Sequence, residues 1–135
     1  MLIETDILLA VLNPSDPLRS VARKVLTNEH LLLSPYALLE LNLLIRAGKI
    51  KVKSFDNFAG GLDAFFRSRG ITVLPDNPRN HSIAQQIESN FGLTFFDSLH
   101  GAVAKSEGLT LISFDSSYKR LRSIGVMHID PRTVR

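Results

Sequence analysis

A chain of 135 residues with no cysteine, 44% hydrophobic and 21% charged, suits one compact domain that buries about two thirds of the surface it would expose unfolded. This composition excludes a disulfide framework and a thiolate metal site, and no apolar run approaches the roughly 20 residues of a membrane span. The net charge of +3 is compatible with a polyanionic partner, and its distribution says more than its size: Arg46, Lys49, Lys51 and Lys53 form one basic run, and Lys119, Arg120 and Arg122 another.

The first residues, MLIETD, bring in Glu4 and Asp6 too early for a secretion signal, so a cytoplasmic protein is expected. A short aliphatic run over 2–4 reads as a buried strand. A helical pattern over 7–12 follows, with Thr5 or Asp6 placed to cap it and Asn13, Pro14 and Pro17 to break it. A second helix is predicted over 18–26 and a second strand over 31–33. Ser34 and Pro35 then supply an N-cap and a first-turn proline for a helix over 34–46, which Gly48 closes. The segment 55–69 is helical in pattern, with Gly60 and Gly61 predicting a kink or split. After a strand over 71–74 come helices over 78–91 and 94–107, stopped by Gly92 and Gly108. A strand over 109–113, a helix over 116–122 stopped near Gly125, and a strand over 126–129 complete the chain.

Strands separated by helices, never by two-residue hairpins, imply parallel strands joined by crossovers. The expected architecture is a single domain over 1–135, an α/β three-layer sandwich with a central parallel sheet flanked by helices. In such a fold, chemistry collects outside the carboxyl ends of the strands.

Four acids fall where that chemistry would be. Glu4 ends the first strand and Asp115 the fourth, Asp97 opens a helix after Thr94, and Glu40 lies on the apolar stripe of its helix among Tyr36, Ala37, Leu43 and Leu44. Each has an ordinary reading by itself. Asp115 is placed as an N-cap, Thr94 and Asp97 fit a capping box, and Glu40 could pair with an arginine. His100 is read as a ligand or base, or as a surface or supporting histidine. Taken together, four carboxylates gathered at one sheet edge repel one another and require a hard divalent cation with oxygen ligands, Mg²⁺ or Mn²⁺. Ser113, the last polar side chain of its strand, is placed to support the aspartate that follows.

These segments resemble the PIN domain family, which includes the VapC toxins of prokaryotic toxin–antitoxin pairs. IETDILLAVLN is similar to the opening D-T-x-x-L-L of that family, SPYALLELNLL to its second-acid helix, and FFDSLHGAVAKSEGLTLISFD to its D-x-L-H-x-A-x-A segment with the following L-h-(S/T)-x-D. The resemblance implies a parallel sheet in the order 3-2-1-4-5 and metal-dependent cleavage of single-stranded RNA by an endoribonuclease. It implies Glu4, Glu40, Asp97 and Asp115 as the catalytic and metal-binding acids, with Ser113 as the matching hydroxyl. A small antitoxin protein is the implied partner. A homodimer is expected because the helices over 18–26 and 34–46 carry more apolar positions than one sheet face buries.

Two positions depart from the family pattern: Glu4 stands where an aspartate is usual, and Ser117 where many members carry a further acid. Glu4 keeps a second reading open, a PIN-like domain that binds RNA or a protein without cutting. A receiver-like domain and a haloacid-dehalogenase-type phosphatase fit less well, since Pro75 follows the third strand and Glu4, Asp6 and Leu8 break D-x-D-x-T.

Overall fold

A computed structural model describes residues 1–134 as a five-stranded parallel sheet in the order β3-β2-β1-β4-β5. The strands are β1 (Leu2–Ile3), β2 (Leu32–Leu33), β3 (Thr72–Val73), β4 (Leu111–Ile112) and β5 (His128–Ile129). Leu2 is in register with both Leu32 and Leu111, Leu32 with Thr72, and Leu111 with His128. Each strand is only two residues long, shorter than its aliphatic run. Residues flanking these pairs still bond across to the neighbouring strand, as in Leu2 N–H to Thr110 O, Leu74 N–H to Leu33 O and Leu111 N–H to Met127 O.

Side-chain alternation divides the interior. Ile3, Leu33 and Ile112 face one core, closed by α1 (Thr5–Leu12), α2 (Arg19–Val25), α3 (Pro35–Arg46) and α4 (Phe55–Arg69). Leu2 and Leu111 face the other, closed by α5 (Pro78–Phe91), α6 (Phe95–Glu107) and a 3₁₀ helix, Ser116–Ile124. The predicted three-layer α/β architecture and strand order are therefore present.

Several local expectations change. The first helix starts at Thr5, two residues early, because Glu4 caps it: Glu4 Oε2 accepts the N–H of Asp6 at 3.1 Å. Asp6, the expected cap, is drawn into the interior beside β4. Ser34 precedes α3 but makes no side-chain cap, since its hydroxyl is taken by His100. The α4 helix runs unbroken through Gly60 and Gly61. The last helical segment has period three: its buried residues Tyr118 and Leu121 are three apart, which suits a 3₁₀ helix.

Gly101 lets α6 lie close to that segment, as a Cβ there would sit 2.6 Å from a terminal methyl of Leu121. Gly101→Ala is expected to lower stability by about 1–3 kcal/mol, read as a reduced urea midpoint at unchanged m-value. An unchanged midpoint would mean that Leu121 turns aside freely.

Candidate active site

Because β1, β2 and β4 are parallel neighbours, the residues following them share one edge of the sheet. Glu4 follows β1, Ser34 and the first turns of α3 follow β2, and Ser113 to Asp115 follow β4. Asp97 and His100 reach the same edge from the first turns of α6, whose N-cap Thr94 accepts the N–H of Asp97 at 3.3 Å. That confirms Thr94 as a cap and leaves the Asp97 carboxyl facing the edge.

His100 is fully buried, so its surface reading is excluded. Its Nδ1 lies 2.7 Å from Ser34 Oγ, and its Nε2 lies 3.1 Å from Glu40 Oε1, 3.3 Å from Thr5 Oγ1 and 3.7 Å from Glu4 Oε2. A serine hydroxyl donating to Nδ1 leaves Nε2–H to donate to Glu40, which also accepts the Thr5 hydroxyl. Burial acts to raise the Glu40 pKa, but the bonds from His100 and Thr5 outweigh it and hold the carboxyl below its ordinary value. Glu40 is thus anchored without an arginine.

Ser113 is the second hub. Its Oγ lies 2.8 Å from Glu4 Oε1 and 2.6 Å from Asp6 Oδ2, and it accepts the N–H of Asp115 at 3.0 Å. Asp6 Oδ2 also accepts the N–H of Phe114 at 2.7 Å, whereas its buried Oδ1 has no hydrogen-bond partner. One hydroxyl proton cannot serve two carboxylates. A proton retained on Glu4 resolves this, because Glu4 then donates to Ser113 and Ser113 to Asp6. Accordingly, burial pushes the Glu4 pKa well above its ordinary value and the neighbouring Asp6 adds to the rise. Burial also raises Asp6, against the Ser113 bond.

Asp97 and Asp115 form a third contact. Tyr118, fully buried, donates its hydroxyl to Asp97 Oδ1 at 3.1 Å. Burial raises the Asp97 pKa, with the charge of Asp115 adding to it. At Asp115 burial is outweighed by the N–H and hydroxyl of Ser117 and by a hydrogen bond with Asp97, so its pKa is lowered. Asp115 also caps the 3₁₀ helix through the Ser117 N–H at 2.8 Å, as its ordinary reading required.

The edge therefore carries the four predicted acids in two groups: His100 lies between Glu4 and Glu40, and Asp97 meets Asp115, whose backbone N–H bonds to the Ser113 hydroxyl that also meets Glu4. Ligand atoms of Glu4, Glu40 and His100 lie within 4.8 Å of one another. Burial and neighbouring acids raise the pKa of both Glu4 and Asp97, which marks negative charge that a cation would balance. An oxygen-rich set of this kind fits a hard dication, whereas His100 Nε2 is occupied as a donor. Thr5, Ser34, Asp6 and Tyr118 were not singled out as site residues from sequence.

The fold and this edge define a three-layer α/β domain with an acidic site at the carboxyl ends of its parallel strands. The profile of the PIN domain matches residues 1–124, and the chain belongs to the PIN domain family, whose members are generally nucleases. No curated protein sequence matches significantly. Among solved structures, the chain is similar to VapC20 of Mycobacterium tuberculosis, described as a sarcin-ricin loop cleaving toxin, with 18% identity and TM-score 0.71 over 96% of this chain and 98% of that one. It is similar to FitAcB of Neisseria gonorrhoeae with 20% identity and TM-score 0.68, covering 98% and 99%. A toxin–antitoxin complex from Klebsiella pneumoniae matches with 14% identity and TM-score 0.67, covering 96% of each chain. No helix among the described residues is long and apolar enough to cross a membrane.

A carboxyl whose pKa is raised by folding contributes fully to stability below its ordinary value and loses that contribution as pH rises through the folded value. Glu4→Gln is therefore expected to raise the melting temperature of the metal-free protein at pH 7, and the gain is expected to vanish below the ordinary value of 4.5. Calorimetry across that range checks it; an equal gain at every pH would remove buried charge as the cause.

Proposed function

We propose that this chain is a metal-dependent endoribonuclease that hydrolyses phosphodiester bonds of single-stranded RNA, and that it is the toxin of a toxin–antitoxin pair. The observation that carries the reading is the meeting of Glu4, Glu40, Asp97 and Asp115 at one sheet edge, two of them with raised and two with other pKa positions. Membership of a family of nucleases supports it.

Glu4, Asp97 and Asp115 would hold Mg²⁺ or Mn²⁺, directly or through water, with Glu40 placing the ion or its water. A bound dication supplies an acidified water at neutral pH and offsets charge on the phosphate. The protein's own work is positional. His100 and Thr5 fix the Glu40 carboxylate, Ser113 orients Glu4, and Tyr118 orients Asp97. Ser34, by occupying His100 Nδ1, sets which nitrogen faces Glu40.

That one structural neighbour is a toxin and another a toxin–antitoxin complex supports a small antitoxin partner. So does an apolar groove of about 280 Å³ between α3 and α4, lined by Leu38, Ile45, Phe55 and Phe58. Exposed Leu39 and Leu43 on α3 also favour a homodimer. One observation favours the alternative of RNA or protein binding without cleavage: both Glu4 oxygens already have partners, one at the Asp6 amide and one at Ser113.

Single-stranded RNA incubated with the protein is expected to be cut with Mg²⁺ or Mn²⁺ and spared with a chelator. Asp97→Asn is expected to slow cutting by at least about 10-fold to 100-fold, and Glu4→Asp to retain it. Cutting that survives both chelation and Asp97→Asn would remove the nuclease reading, while binding without cutting selects the alternative.

A further inference from the structure

The acid edge poses a problem for its own substrate, because a cluster of carboxylates repels a polyanion. The two basic runs are the candidate solutions, and the fold separates them. The α3 helix starts at the acid edge and runs about 18 Å away from it before the chain reaches Lys49. Lys49 and Lys51 accordingly line a cavity with Leu12, Asn13 and Pro14 at the far end of α1. The second run begins in the site itself. Asp115 caps the 3₁₀ helix, and Lys119 follows about 8 Å further along at the 2.0 Å rise of that helix.

Within the second run, the structure sorts the cations. Arg120 is turned back, donating Nη1–H to the carbonyl of Phe91 at 3.0 Å. Lys119 and Arg122 are exposed and three residues apart, the repeat that aligns side chains on one face of a 3₁₀ helix. Both line a cleft of about 340 Å³ whose other wall is the segment Val126, Met127 and His128. That wall is fixed to the acid site: His128 Nε2 donates to the carbonyl of Ser113 at 2.9 Å, the residue whose hydroxyl meets Glu4 and Asp6. The face that carries Lys119 and Arg122 continues at the same spacing to Ser116, the residue next to the Asp115 cap, so phosphates lying in this cleft approach the acid site along it.

We propose that the cleft of Lys119, Arg122 and His128 binds the phosphodiester backbone of single-stranded RNA beside the scissile position. The proposal rests on the nuclease reading for its purpose, but its test does not need cleavage. Binding of a fluorescent single-stranded oligoribonucleotide, in chelator, is measured by anisotropy from low to high salt.

Each lost phosphate contact lowers the steepness of log K against log salt by about 0.7, so Lys119→Gln with Arg122→Gln is expected to lower it by about 1.4. Lys49→Gln with Lys51→Gln is expected to leave it unchanged. With a cation present, the Lys119 and Arg122 pair is expected to raise KM at unchanged kcat. A salt slope untouched by Lys119→Gln with Arg122→Gln overturns the proposal, whether or not RNA is cut, and so does an acidic peptide that needs these two residues while RNA does not. RNA binding that depends on them in a protein that never cuts keeps the cleft and removes the nuclease reading. A protein that binds no RNA removes both.

Discussion

The structure turns on the burial of one carboxyl, that of Glu4, at the end of the central strand. Burying an ionised carboxylate among other acids costs several kcal/mol unless charge is neutralised or shared. The protein meets that cost with groups from four elements: the Asp6 amide of α1, Ser113 after β4, His100 of α6, and through His100 the Glu40 of α3. Parallel strand order makes this convergence available, because β2, β1 and β4 deliver their following residues to the same edge. A one-step change in strand order would part Ser113 from Glu4, and neither hub would form.

The exchange of glutamate for the family's aspartate has a structural consequence here. The extra methylene lets one oxygen turn back to the helix amide while the other reaches Ser113. Glu4 thus serves as cap and as site acid at once, and Asp6 is released from capping. Asp6 then takes the Phe114 amide and holds the turn after β4 against α1. The two acids of the opening segment have traded the roles that local rules assign them.

This trade shows what the sequence could and could not disclose. Strand order was legible through the family resemblance, and Thr94 as a cap and the position of the four acids along the chain through local pattern. The roles of Asp6, Ser34 and His100 were not. A serine before a helix proline is an N-cap by local chemistry, but Ser34 finds His100 Nδ1 across 66 residues of chain, and the long-range bond wins. The unbroken α4 has a related cause. Gly60 and Gly61 are costly in a helix, yet Leu62 and Phe66 beyond them are buried in the core, and that packing carries the helix through. The final helix was placed correctly but mistyped, since Tyr118 and Leu121 are compatible with either period until the neighbouring helix fixes which is used.

One further constraint ties chemistry to topology. A hydrolase acting on a polyanion needs negative charge to hold a cation and positive charge to hold the substrate, and the two cancel if they are interleaved. Here they are separated along single elements. The segment after β4 carries its acid at the first position and its exposed cations one and two turns on, while α3 carries Glu40 in its first half and its basic run from its last residue onward. Each element thereby has a negative end at the site and a positive end away from it. What distinguishes them is pitch and length: the 3₁₀ segment keeps Lys119 about 8 Å from Asp115 along its axis, little more than one turn, whereas Lys49 comes only after the whole length of α3, where it can influence the long-range field but cannot touch a phosphate bound at the acids.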